Sequence, residues 1–251
     1  MLQTNLHKQI ESFVNFFRQL LVARWRSLLL LLIGIYLPLQ IFGLLAVHVW
    51  QNQGGFPWDD PILLAVHKTS QAQLDFFATR LTQLGSPRAT LPFVGVVGLV
   101  LLSLRRWRSL TYLLTTTVGS AIINRTAKVF MHRVRPHLWD SITPESSFAF
   151  PSGHSMASMT LVAALVILTW GSAWCWLILI VGSTFVVAIA WTRIYLGVHF
   201  PSDILAGWMV SIAWAIGVSL IIKPHLTTSS GAIPKAPPLD ETTLTPEEKR
   251  V

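Results

Sequence analysis

Apolar runs without charged residues divide the chain. Residues 28–49 carry no Lys, Arg, Asp or Glu. A helix of that length crosses a hydrocarbon core of roughly 30 Å. A shorter run covers 89–104, another about 109–123, and 204–222 closes the series. Between Ser155 and Thr192 there is again no Lys, Arg, Asp or Glu, a stretch long enough for two spans. Gly171-Ser172-Ala173, between Trp170 and Trp174, is the natural break. The pattern predicts an all-α, polytopic membrane bundle of about six transmembrane helices. Pro38 should kink the first span.

The polar segments predict the rest. In residues 1–26, Phe13, Phe16, Phe17, Leu20 and Leu21 recur at spacings of three and four. That fits a cytoplasmic amphipathic helix on the membrane surface, or a polar lead-in to the first span. Residues 51–87 read as short amphipathic helices on the outer surface, built on Ile62, Leu63, Val66, Leu74, Phe76, Phe77, Leu81 and Leu84. Residues 124–154 read as a long basic loop, and 223–251 as a disordered cytoplasmic tail rich in Pro, Thr and Ser. The transmembrane unit is 27–222.

Composition agrees. Hydrophobic residues make up 52% of the 251-residue chain and charged residues only 12%, against about 25% in average soluble domains. The net charge of +8 lies between apolar runs, not on a soluble face or arm, which argues against nucleic-acid binding. The single cysteine, Cys175, excludes an intrachain disulfide framework. Trp25, Trp50, Trp107, Trp170, Trp174, Trp176 and Trp191 fall near span ends, as an aromatic belt requires. A cytoplasmic N-terminus puts its cations and the Arg105, Arg106 and Arg108 knot on one side. The 124–154 and 193–203 loops then lie outside. Both are basic, against the positive-inside trend, and an anion site would explain the exception.

Three clusters stand there: Lys128 through Arg135-Pro136, Pro151-Ser152-Gly153-His154, and Arg193 with His199 and Asp203. Lys128, Arg135 and Arg193 offer a point charge and two planar forks for phosphate oxygens. Pro151 can begin a helix whose first turn holds Ser152, Gly153 and His154, with free N–H groups for an anion. Asp203 can hold one nitrogen of His199 protonated and turn the other toward phosphorus. His154 can protonate the leaving oxygen from the opposite side.

This pattern resembles the type 2 phosphatidic acid phosphatase (PAP2) family, which shares its phosphate pocket with vanadium haloperoxidases. The resemblance covers about residues 28–222. It implies a PAP2/haloperoxidase-like core and a metal-independent phosphatase without cofactors. In it His199 is the phosphohistidine, Asp203 its orienting carboxylate and His154 the general acid. Lys128, Arg135, Ser152, Gly153 and Arg193 would bind phosphate. Thr192 stands where the family usually has Ser, which leaves its role open.

The expected substrate is a lipid phosphate: phosphatidic acid, phosphatidylglycerol phosphate or undecaprenyl diphosphate. The expected place is the outer face of a bacterial inner membrane. An anion or lipid-phosphate transporter also needs cations at membrane depth, but not two histidines with a paired Asp. A haloperoxidase holding vanadate fits a six-span membrane chain poorly. Arg125, His132, Arg133 and His137 read as solvated loop or headgroup contacts. Asp59, Asp60 and Asp75 read as a solvated acidic patch.

Overall fold

The computed structural model describes residues 2–52 and 54–225. The described residues form helices joined by loops, with no strand among them. The helices are α1 (Leu2–Leu31), α2 (Leu37–Asn52), α3 (Asp59–His67), α4 (Ala72–Leu84), α5 (Pro87–Ser103), α6 (Trp107–Met131), α7 (Gly153–Leu168), α8 (Ala173–Tyr195) and α9 (Pro201–Ile222). A π-helical turn, Leu32–Tyr36, joins α1 to α2. Pro38 lacks the N–H that would bond Gly34, so the irregular turn falls where the ring forbids a regular one. A second break lies at Arg24, whose φ of −124° and ψ of 15° are not helical. It separates the amphipathic N-terminal stretch from the apolar span. Within that stretch Phe13 and Phe16 are exposed. The side chains of Phe17, Leu20 and Leu21, and most of the proline-rich tail (226–251), lie outside the described residues.

Among the described residues three helices are long and apolar enough to cross a membrane: Val22–Asn52, Ala173–Tyr195 and Pro201–Ile222. A fourth span results if α4 and α5, bent by 41° at their junction, count as one. The outer surface is apolar, with Leu44, Leu99 and Ile221 among its exposed side chains. Trp25, Trp50, Trp107, Trp170, Trp174 and Trp176 are exposed as well, as belt residues should be.

Helix α9 is central and packs on α2, α6 and α7, while α8 packs on α7 and α4. Small residues allow the close approaches. A Cβ on Gly182 would stand 2.6 Å from Val162 Cγ1, and one on Gly119 would meet the Trp214 ring. Polar side chains tie helices where water is excluded. The Tyr112 hydroxyl donates to Ala215 O (3.1 Å), Trp214 Nε1 to Thr116 O (3.0 Å), and Ser120 pairs with Thr160 (2.8 Å).

Two boundaries differ from the sequence reading. Helix α6 runs on to Met131, so Asn124, Arg125 and Lys128 are helical and the loop is 132–152. Their polar side chains ended the apolar pattern without ending the helix. Helix α7 begins at Gly153, with Ser152 as N-cap and Pro151 outside it.

Gly182→Val should force α7 and α8 apart. Overpacking of this kind costs about 1–3 kcal/mol. The melting temperature in detergent should fall, and an unchanged value would contradict the packing described.

Candidate active site

Four segments meet at one end of the bundle: the last turn of α6, the 132–152 loop, the N-terminus of α7, and the turn from α8 into α9. The geometry is set by the backbone. Ser152 N–H donates to Asp203 O (3.1 Å), joining α7 to α9. Gly197, at φ +67°, turns the chain out of α8. A Cβ there would be strained and would meet the Trp139 ring at 2.6 Å.

His199 is 1% exposed and sits in that turn. Its Nδ1 lies 3.3 Å from Asp203 Oδ2 and its Nε2 lies 3.0 Å from Arg135 Nη1. Arginine has only donors, so Nε2 must accept. Nδ1 therefore carries the proton and donates it to Asp203. Burial first, and then Arg135, Arg193 and Lys128, hold the imidazole pKa well below its ordinary value of 6.5. The ring is neutral, with its Nε2 lone pair turned toward the arginines. Asp203 also accepts the Phe200 N–H at 2.9 Å, the reach-back of a third helical residue to its cap.

The cations lie around that lone pair. Arg135 donates to Ser147 O (2.7 Å) and Val198 O (2.6 Å), which hold its fork in place. Arg193 is 1% exposed, donates to Thr82 Oγ1 (2.7 Å), and keeps a buried Nε without a partner. Lys128 donates to the Phe148 carbonyl. His154 lines a cavity of about 510 Å³ with Thr143, Glu145 and Arg193. The Ser152 hydroxyl accepts from Ser155 Oγ at 3.0 Å, and its N–H is already given to Asp203. The first-turn N–H groups left for an anion are those of Gly153, His154 and Ser155. A Cβ on Gly153 would press on Asn124 Oδ1 at 3.3 Å. The Thr192 hydroxyl bonds back to Ile189 O (2.6 Å), a role internal to α8. Among the described residues no group of three or more His, Cys, Asp or Glu is arranged to hold a metal.

Two residues read as solvated are instead buried. Arg133 is 0% exposed and donates to Asp59 Oδ2 (3.0 Å), Ser202 Oγ (2.8 Å), Gly54 O (3.1 Å) and Asp203 Oδ1. Its guanidinium lies 4.3 Å from the Phe200 ring centroid. Asp59 is 0% exposed too and accepts from Phe56 N, Ser202 N and Ser202 Oγ besides Arg133. Asp75 is half-buried and accepts from the Tyr195 hydroxyl (2.6 Å), whereas Asp60, Arg125, His132 and His137 are exposed. Glu145 was missed altogether. It accepts from Arg135 Nη2 (2.7 Å) and from Arg193 Nη2. The one sequence signal for it is its position as the sole acid between Asp140 and Asp203.

A carboxylate-oriented imidazole beside a guanidinium, within an apolar helical bundle, marks a class: a membrane protein with a cationic site around a histidine. The comparisons name it. The PAP2 superfamily model matches residues 109–225. Phosphatidylglycerophosphatase B of Bacillus subtilis is 30% identical over 160 residues, which cover 61% of this chain and 78% of that one. An undecaprenyl-diphosphatase of Sulfolobus acidocaldarius is 26% identical over 148 residues, 57% of this chain and 66% of that one. The crystal structure of a transmembrane PAP2 type phosphatidylglycerolphosphate phosphatase from Bacillus subtilis superposes with a TM-score of 0.67 at 26% identity, covering 77% of this chain and 100% of that one. The chain belongs to the PAP2 superfamily, and it is a phosphatase. Nothing in these relatives favours a transporter.

Removing one partner of a buried pair leaves the other charge uncompensated, at about 3–5 kcal/mol. Arg133→Met should therefore lower the melting temperature sharply, and a melt like the wild type would contradict the network. The pH dependence has a definite sign. Below pH 6.5 the unfolded chain protonates residue 199, while the folded chain does not until a lower pH. Stability should fall as pH drops through that window, and less so in His199→Gln. Equal slopes in both proteins would count against a neutral buried His199.

Proposed function

We propose that the 27–222 unit removes a phosphate from a lipid phosphate monoester or diphosphate, by way of a phosphohistidine on His199 and without a metal. Phosphatidic acid, phosphatidylglycerol phosphate and undecaprenyl diphosphate are the candidate substrates. The observation that carries the reading is the Arg135 Nη1 to His199 Nε2 contact at 3.0 Å. It puts a lone pair and a phosphate-binding fork at the same point.

The steps follow from in-line displacement. Phosphate oxygens take the forks of Arg135 and Arg193, the Lys128 ammonium and the N–H groups at the start of α7. His199 Nε2 attacks phosphorus as the bond to the lipid oxygen breaks. His154 gives that oxygen a proton. Asp203 keeps the proton on Nδ1 and stabilises the positive charge growing on the ring. Water then attacks the phosphohistidine, His154 takes its proton, and inorganic phosphate leaves. The cations offset the charge that a metal would otherwise offset.

A six-span topology would take the α1–α2 rod, α5, α6, α7, α8 and α9 as its spans, and of these α1–α2, α8 and α9 are long and apolar enough by themselves. The site then faces the outer side of a bacterial inner membrane, with the lipid tails still in the bilayer.

Purified protein with EDTA should release phosphate from at least one of the three lipids, and His199→Ala should reduce release by 10³-fold or more, on the order seen when a catalytic nucleophile is removed. EDTA-sensitive release, or release retained in the variant, would overturn the mechanism.

A further inference from the structure

Glu145 contacts two of the proposed phosphate ligands, yet the proposed chemistry gives it no role. Its carboxylate bridges Arg135 and Arg193, which come from different segments and are the two forks assigned to phosphate. A carboxylate presents two oxygens to a guanidinium much as phosphate does. Burial pushes the Glu145 pKa up, but Arg193 and then Arg135 outweigh it and hold the group below the usual carboxylate range. It stays charged.

The other two site carboxylates mark the contrast. Asp59 and Asp203 are 0% exposed and wedged among backbone and side-chain donors. Glu145 is 29% exposed, and among the described residues its hydrogen-bond donors are the two arginines. It stands on a loop without helix. It also lines the 510 Å³ cavity, so it has room to turn aside. Thr143 and Arg193 line the same cavity, and among the described residues the Thr143 hydroxyl and Arg193 Nε are buried without a partner. These unused donors suit an anion with more oxygens than a carboxylate has.

We propose that Glu145 is an internal competitor for phosphate: it holds the substrate's places on Arg135 and Arg193, and so sets a charge threshold for entry. The inference rests on the phosphate site proposed above. Lys128, Arg135 and Arg193 bring three positive charges; against them stand Glu145 and the one negative charge left where Arg133 meets both Asp59 and Asp203. A dianionic monoester or a diphosphate that displaces Glu145 adds negative charge and oxygens where both are wanted. A singly charged phosphodiester exchanges charge for charge and gains nothing for its desolvation. The membrane's bulk phosphodiester lipids are thus kept out by electrostatics as well as by shape.

Calorimetric titration of the detergent-purified chain at pH 8 tests this with two probes, inorganic phosphate and dimethyl phosphate. If the displaced arrangement is about a tenth of the population, removing the competitor should tighten binding about tenfold. Glu145→Gln should therefore bind inorganic phosphate about tenfold more tightly than the wild type. Dimethyl phosphate should gain by about the same factor, which lifts the singly charged probe toward measurable binding. Glu145→Asp, too short to span both arginines, should fall between. Unchanged or weaker phosphate binding in Glu145→Gln would overturn the inference and make Glu145 a clamp on the arginines. A Glu145→Gln protein that fails to fold would overturn it as well, since a pillar is not a competitor. Loss of phosphate binding in wild type and variant alike would instead overturn the phosphate site itself.

Discussion

The arrangement depends on one buried guanidinium. Arg133 stands between Asp59 and Asp203, and all three are fully removed from solvent. Such charges are tolerated only with complete partners, because an uncompensated ion in the interior costs several kcal/mol. Asp59 is the first residue of α3, and Asp203 sits in the first turn of α9. Pairing both to one arginine fixes α3 against the central helix of the bundle. It also presents the second oxygen of Asp203 to His199. The orientation of the imidazole is thus a consequence of how α3, the 132–152 loop and α9 are joined.

Electrostatics then divides the site in two. On one side Arg133 satisfies Asp203, which limits the carboxylate to holding a proton on His199 Nδ1. On the other, Lys128, Arg135 and Arg193 face a single acid, Glu145. Both properties come from burial in an apolar bundle, where a charge left unpaired acts over a longer range than in water. The bundle is closed by small residues at helix crossings, so the elements carrying Arg193, His199 and Asp203 cannot drift apart without losing packing.

The helices, the break at 171–173, and the meeting of three motifs at one end were legible in sequence, since apolar length and the placement of charges decide them. The end of α6 was not. Charged side chains usually close a span, but Lys128 continues the helix because its ammonium has a carbonyl to bond. Arg133 and Asp59 read as solvated because their partners are 74 residues apart, and no local spacing reveals such a pair. A cation two residues before the motif arginine, in a loop already rich in basic residues, was the available hint. Glu145 lies in a loop without periodicity, so its bridging of two motif arginines emerges only from the folded chain.

The most direct test of the account is to trap the covalent intermediate. Enzyme mixed with radiolabelled lipid phosphate and quenched in alkaline denaturant within milliseconds should carry acid-labile, base-stable phosphate, which peptide mapping would place on His199. A wild-type enzyme that turns over while no phosphoryl group ever appears on that residue would contradict the account.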